Sequence, residues 1–179
     1  MAHHRANDLT IRRCAVGDEH VLALVGQAAF LEAFAGEISG QDLMAHCRHQ
    51  HSVEKYAAWL ADGHTAIWIA EVDPGRAPIG YLVLTSPDLP LPDLTAQDLE
   101  VKRIYLLHRF QGGGLGARLM DEARRHAEAV GCRRLLLGVY RKNAAAIGFY
   151  ERLGYRRVGT RSFKVGENIY QDLILALAL

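Results

Sequence analysis

A single α/β (α+β) domain built on a central mixed sheet is what the chain predicts, and three observations carry it. Short β-rich runs recur along the whole length, the stretch from Leu99 to Tyr140 reads strand, helix, strand, and no segment is repeated. A strand, helix, strand order makes its two strands parallel neighbours joined by a right-handed crossover. The remaining runs are separated by turn residues and read as antiparallel partners, about seven strands in all. With 179 residues the chain fits one domain, 1–179, long enough to bury a substantial core.

Taken in order, Leu9 to Arg13 alternates apolar and polar positions and suits an opening strand. Asp18 then stands as an N-cap ahead of Val21, Leu22, Leu24, Val25, Ala28, Ala29 and Leu31, a helical pattern ending near Phe34 to Gly36. A polar helical region, interrupted somewhere, follows from Gln41 to Leu60. Thr65–Ala70 and Ile79–Leu84 flank the turn sequence Asp73-Pro74-Gly75 and read as a hairpin. Pro87, Pro90 and Pro92 mark a surface loop. Leu99 to Leu107 is the next strand. It enters a glycine-rich turn, after which Leu115, Leu119, Met120, Ala123, Ala127 and Val130 recur at helical spacing, with Asp121/Arg125 and Glu122/His126 as outward i,i+4 pairs. Gly131 ends that helix. Arg134–Tyr140 is a continuous apolar run, as expected of a strand covered on both faces. A short helix from Asn143 to Leu153 and two strands, Tyr155–Thr160 and Asn168–Leu177, close the chain.

Composition narrows the function. A net charge of +1 supplies no global field for nucleic acid or an anionic membrane. Cys14, Cys47 and Cys132 form no C-x-x-C pair, which points away from a disulfide framework or zinc ribbon and towards a reducing cytoplasm. The N-terminus has no apolar signal core, and the longest apolar run, Leu173–Leu179, is too short to span a bilayer. His46-Cys47-Arg48-His49-Gln50-His51 has metal-ligand types, but no matching third set recurs, so it reads as a solvated polar helix.

The informative stretch is Arg109-Phe110-Gln111-Gly112-Gly113-Gly114-Leu115-Gly116-Ala117, with four glycines in five positions. Each Gly inside a helix costs about 1 kcal/mol relative to Ala, so stability does not select them. Bare N–H groups at a helix start make an anion site, and the stretch reads as a diphosphate cradle. A P-loop would need G-K-[ST], which is absent. Gly112-x-Gly114-x-x-Ala117 matches the dinucleotide fingerprint formally, but the acidic residue expected after the following strand is missing.

Gln111-x-x-Gly114-x-Gly116 resembles the Q/R-x-x-G-x-G/A acyl-CoA loop of the GCN5-related N-acetyltransferase (GNAT) superfamily. The downstream segment Asn143-Ala144-Ala145-Ala146-Ile147-Gly148-Phe149-Tyr150-Glu151-Arg152-Leu153-Gly154-Tyr155 is similar to that family's N-x-x-A-x-x-F/L-Y-x-x-x-G-F/Y motif. Glu100 to Tyr105, Gly159 to Gly166 and Gln171 to Ile174 are similar to bacterial polyamine (spermidine/spermine) N-acetyltransferases. The resemblance implies the GNAT fold and an acetyl-CoA-dependent N-acetyltransferase acting by direct attack in a ternary complex, with a parallel βαβ unit holding the cofactor and no metal. The expected acceptor is a small-molecule primary amine, a polyamine favoured. A protein N-terminal (ribosomal-protein) acetyltransferase and a non-catalytic acyl-CoA sensor on the same fold stay open, as does a homodimer.

Residue roles follow from the same resemblance. Gln111 braces the loop, and the amides of Gly112, Gly113, Gly114, Leu115, Gly116 and Ala117 hold the diphosphate. Relatives often carry Lys or Arg where this chain has Gly113, a charge that Arg109, Arg118 or Lys142 would have to replace. Ile104, Tyr105 and Leu106 line the cofactor, the Leu106 N–H serving as oxyanion donor. Asn143 meets the pantetheine arm and Tyr150 the sulfur, as general acid, with Phe149 beside it. Glu100 is the candidate base, and its alternative is an ordinary salt bridge to Lys102 or Arg103. Phe30, Phe34, Glu32, Glu37 and Phe163 are candidates to line the acceptor, although each taken alone is better explained as core, for the Phe residues, or surface, for the acids.

Overall fold

A computed structural model describes residues 9–165 and 168–179, with the backbone alone for 163–165 and 168. The elements run β1 (Leu9–Arg13), α1 (Glu19–Phe34), α2 (Gly40–Gln50), α3 (Val53–Ala61), β2 (Ala66–Val72), β3 (Ala77–Thr85) and β4 (Asp98–Leu106). A 3-10 turn, His108–Phe110, leads into α4 (Leu115–Ala129), β5 (Arg134–Tyr140), α5 (Ala144–Arg152), β6 (Arg156–Val165) and β7 (Asn168–Ala178). The strands form one seven-stranded sheet in the order β1-β2-β3-β4-β5-β7-β6. β4 and β5 are the parallel pair that the strand, helix, strand order predicts, Asp98–Val101 lying opposite Arg134–Leu137. β5 with β7 and β6 with β7 are antiparallel. No helix of the described residues is long and apolar enough to cross a membrane.

The chain divides into two compact units, the described residues up to Val83 with Arg103–Met120, and Leu84–Lys102 with Asp121–Leu179. β4 and α4 each pass from one to the other. In the first unit, α1 buries Leu22, Val25, Ala29 and Phe30, the helical spacing expected of an inner face. Of these, Leu22 and Val25 pack with Tyr56, Ile67, Ile69 and Tyr81. Asp18 does begin α1, but its carboxylate does not cap the helix amides. It accepts from Arg12 at 2.8 Å and from the Ala15 N–H at 2.9 Å. Arg12 also meets the buried Glu71 at 3.0 Å, and this guanidinium holds the Asp18 carboxyl below its usual range. The polar helical region breaks at His51–Ser52, where Ser52 accepts the Lys55 N–H at 3.1 Å and starts α3 as an N-cap.

In the second unit, the proline-marked loop is less superficial than its composition suggests. Leu89 is buried, and with Leu91 and Leu94 it packs against Leu136, Ile174 and Ala176. Arg134 clamps this loop through Asp98, at 2.9 Å to both carboxylate oxygens, and Asp93 at 2.8 Å. On α4, Asp121 pairs with Arg125 at 3.0 Å, and Glu122 also pairs with Arg125. β6 runs on to Val165, past the predicted end at Thr160, because Arg161 to Val165 continue in register with Asp172 to Asn168.

Candidate functional site

In the first unit, β4 delivers the chain to the glycine-rich turn. Gly112 and Gly114 both stand at φ +80°, a left-handed conformation that a Cβ makes costly. Gly113 lies outside that region. A Cβ added at any of the three would meet nothing within 4 Å, so the turn offers bare backbone to open space. The first α4 bond joins the Arg118 N–H to the Gly114 carbonyl at 3.1 Å, which leaves the amides of Leu115, Gly116 and Ala117 without intrahelical partners. With the helix dipole behind them, these amides fit a diphosphate.

The entry to the turn is braced twice. The Gln111 Nε2 group donates to the Leu106 carbonyl at 2.9 Å, and the Leu107 N–H donates to the Ile79 carbonyl at 2.9 Å. Gly80 lets β3 approach closely, since a Cβ there would stand 2.5 Å from the Tyr105 carbonyl oxygen and collide with the Leu106 side chain. Ile104, Tyr105 and Leu106 are half-buried. The Glu32 carboxylate, one of the acceptor-lining candidates, accepts the His108 N–H at 2.6 Å and so ties α1 to the turn. Arg109 lies over the Phe110 ring at 4.9 Å.

The same unit contains an aromatic cluster. Phe30 is 4% exposed, lies 4.5 Å from Phe34 and stacks on His46 at 4.1 Å. Phe30 therefore offers packing behind His46 rather than an open ring face, while Phe34 is half-buried and Glu37 exposed. The Phe163 backbone lies opposite Tyr170, and its side chain is outside what the structure describes.

The histidine segment is not the solvated polar helix its composition suggests. α2 ends at Gln50, and the break turns His51 inward, where it is 1% exposed. His51 Nδ1 lies 3.0 Å from the Tyr56 hydroxyl, which donates to Tyr81 at 2.9 Å. Arg103 donates to the Gln50 carbonyl at 2.7 Å and to Tyr56 at 3.1 Å. A Cβ at Gly26 would stand 2.6 Å from His51 Nδ1, so α1 needs glycine there. Burial, with the Arg103 charge nearby, lowers His51 to about 2 and His46 to about 4. Both rings are neutral at pH 7. Among the described residues no group of three or more His, Cys, Asp or Glu is placed to hold a metal ion.

The second unit holds Glu100, Asn143, Phe149 and Tyr150. Glu100 is 1% exposed. Its Oε2 accepts the Asp88 N–H at 2.8 Å, and its Oε1 lies 3.4 Å from Lys102 Nζ and 3.8 Å from Arg161 Nη1. The Lys102 pair weighed against a base role is present, whereas Arg103 bonds to Gln50 and Tyr56 instead. Asn143 caps α5, accepting the Ala146 N–H at 3.0 Å. Tyr150, 8% exposed, has its ring 5.1 Å from Phe149 and 5.9 Å from Tyr155. Burial pushes the Tyr155 hydroxyl well above its ordinary value, with Tyr150 adding to the shift, and that hydroxyl has no partner among the described residues.

Sequence reasoning read His46 and His51 as solvated surface, and it missed Gly80 and the Arg161 contact. A signal for one of them was present: Gly80 interrupts an otherwise β-rich run, and a glycine inside a strand marks close backbone approach.

Comparison with known proteins places this geometry in context. Residues 31–155 match the model of the acetyltransferase (GNAT) family. An uncharacterised N-acetyltransferase of Mycobacterium tuberculosis is 30% identical over 162 residues, covering 90% of this chain and 98% of its own. The spermine/spermidine N(1)-acetyltransferase of Bacillus subtilis is 34% identical over 68 residues, covering 37% of this chain and 44% of its own. Among solved structures, the PaiA N-acetyltransferase of Thermoplasma acidophilum, in complex with coenzyme A, superposes with a TM-score of 0.76 at 20% identity, covering 96% of this chain and 99% of its own.

Proposed function

Because the chain belongs to the acetyltransferase (GNAT) family, we propose that it moves the acetyl group of acetyl-CoA to a primary amine by direct attack, with a polyamine or another small amine as acceptor. The observation that carries this reading is the turn at Gly112–Gly114, two glycines at φ +80° leading to a helix start with open amides. That arrangement suits the diphosphate of coenzyme A, and the neighbour named above, which shares the fold, is a coenzyme A complex. Acetyl-CoA supplies the activated acyl group. The amides of Gly112 to Ala117 bind its diphosphate, and Gln111 holds the turn against Leu106.

An alkyl ammonium has a pKa near 10, so the acceptor must lose a proton before it can attack. Glu100 takes that proton, directly or through water. The carbonyl oxygen of the acetyl group becomes an oxyanion at the Leu106 N–H. As the tetrahedral intermediate collapses, Tyr150 gives its phenolic proton to the departing sulfur, the amine nitrogen loses its second proton to the phenolate left behind, directly or through water, and Asn143 and Phe149 steady the arm that carries the thioester. Neither step calls for a metal. In this reading the chain works as one domain, 1–179, in the cytoplasm, as monomer or homodimer.

The polyamine preference draws on the local likeness to the Bacillus subtilis relative. Thiol release from acetyl-CoA, screened across polyamines, amino acids, aminoglycosides and N-terminal peptides, tests it. The highest kcat/KM on a polyamine or other small amine is the expected result. Activity on peptides alone would replace it with protein N-terminal acetylation, and complete inactivity despite coenzyme A binding would leave a sensor.

A further inference from the structure

Within the second unit one arginine crosses three strands. Arg161 leaves β6 opposite Asp172 of β7, and its Nε and Nη2 each lie 3.0 Å from Asp172 Oδ2. The guanidinium then lies over Gly138 of β5 and brings Nη1 to 3.8 Å from Glu100 Oε1 on β4. The passage depends on glycine. A Cβ at Gly138 would stand 2.7 Å from Nη2 and 2.9 Å from Cζ, although the Gly138 backbone itself is one that any residue can adopt.

The anchor is unusual for a purely structural pair. Asp172 is 4% exposed, and its Oδ1 is buried with no hydrogen-bond partner among the described residues. Burial raises its proton affinity while Arg161 opposes that shift. A buried ion pair is seldom a net gain over apolar packing, and losing one partner leaves an uncompensated charge. The groups facing Glu100 are Lys102 on its own strand, Asp88 from the loop and Arg161 from β6. On this face β5 carries Arg134, which is held by Asp98 and Asp93, then Leu136, Gly138 and Tyr140.

We propose that Arg161, anchored by Asp172 and given room by Gly138, is a positioning residue for Glu100. It holds the carboxylate in one orientation and places a second cation beside Oε1, the oxygen that Lys102 also approaches. This rests on the reading of Glu100 as the base. Arg161 contacts neither the amine nor the thioester in this role, and its effect passes entirely through Glu100.

A double-mutant cycle tests the dependence. Since Arg161→Gln alone strands Asp172, the variant is Arg161→Gln with Asp172→Asn, made in the native protein and in Glu100→Gln. The expected result is a loss in kcat of roughly tenfold in the native background and less than twofold in Glu100→Gln, the non-additivity of residues acting as one unit. The acid limb of kcat/KM moves up by roughly half to one pH unit, KM for acetyl-CoA stays level, and Arg161→Lys restores most of kcat. Gly138→Ala removes no charge and shifts the acid limb the same way by blocking the passage. Equal losses in both backgrounds, or an acid limb unmoved by both Gly138→Ala and the paired variant, overturn the inference. Full turnover by Glu100→Gln alone sinks the base reading instead, so the two failures are distinguishable.

Discussion

Replacing Gly113 by arginine isolates what the glycine-rich turn lacks. Its backbone is outside the left-handed region and an added Cβ meets nothing within 4 Å, so the substitution carries no steric penalty. Removing a glycine from a conformation that other residues can adopt stabilises by about 0.4–1 kcal/mol through the unfolded chain. An exposed charge beside a diphosphate gains about 0.2–1 kcal/mol, which lowers KM for acetyl-CoA by about 1.4- to 5-fold. That gain fades between 50 and 500 mM salt as the charges are screened. The control is Gly112→Ala, where φ is +80°. A Cβ in that region costs about 1–2 kcal/mol, so this variant lowers Tm and raises KM. Steady-state kinetics on acetyl-CoA at two salt concentrations, with thermal melts, measure both. Equal behaviour of the two variants, or a Gly113→Arg enzyme whose KM ignores salt, would refute the diphosphate assignment of this turn.

Tyr150→Phe is expected to cut kcat by roughly 10²-fold or more, in line with loss of a general acid, while leaving acetyl-CoA affinity by calorimetry nearly intact; unchanged kcat ends the acid role. Gly80→Ala forces β3 away from Tyr105 and Leu106, at a cost of about 1–3 kcal/mol, visible as a lower Tm together with a lower kcat; a native-like Tm would contradict the close approach. His46 and His51 stand at about 4 and about 2 in the fold against an ordinary 6.5. Between those values and 6.5 the unfolded chain binds protons that the native chain does not, so stability rises with pH through this window and falls on acidification. Thermal melts should therefore drop between pH 7 and 4.5, and His46→Phe should flatten part of the drop; a flat native profile would mean that the rings titrate normally.

The elements and the glycine-rich turn were legible because each is a local event. Glycines before a helical repeat, an asparagine two turns ahead of a tyrosine, and strand runs split by Asp73-Pro74-Gly75 all announce themselves within a dozen residues. What stayed hidden depends on contacts between different elements, whatever their separation in the chain. Asp18 looks like a helix cap until Arg12 from β1 claims its carboxylate at 2.8 Å. His51 reads as polar surface until the break after Gln50 turns it towards Gly26 and Tyr56. Arg161 is one arginine among many until Gly138, an interruption in a run of leucines, is seen to leave space for it. In each case the residue type was plain, and its partner lay on another strand or helix.

The two braces at the mouth of the turn meet in one chemical group. The carbonyl that Gln111 engages and the N–H that Ile79 accepts are the two ends of the peptide joining Leu106 to Leu107. A peptide is planar and nearly always trans, so two hydrogen bonds on opposite edges fix its tilt as a bolt at each end fixes a plate. Position 111 must therefore supply an N–H donor of the right reach, and a positive charge is optional. This gives the family pattern of Gln or Arg at that position a physical basis, since both side chains donate. A glutamate there would set a carboxylate against a carbonyl oxygen and let the plate swing.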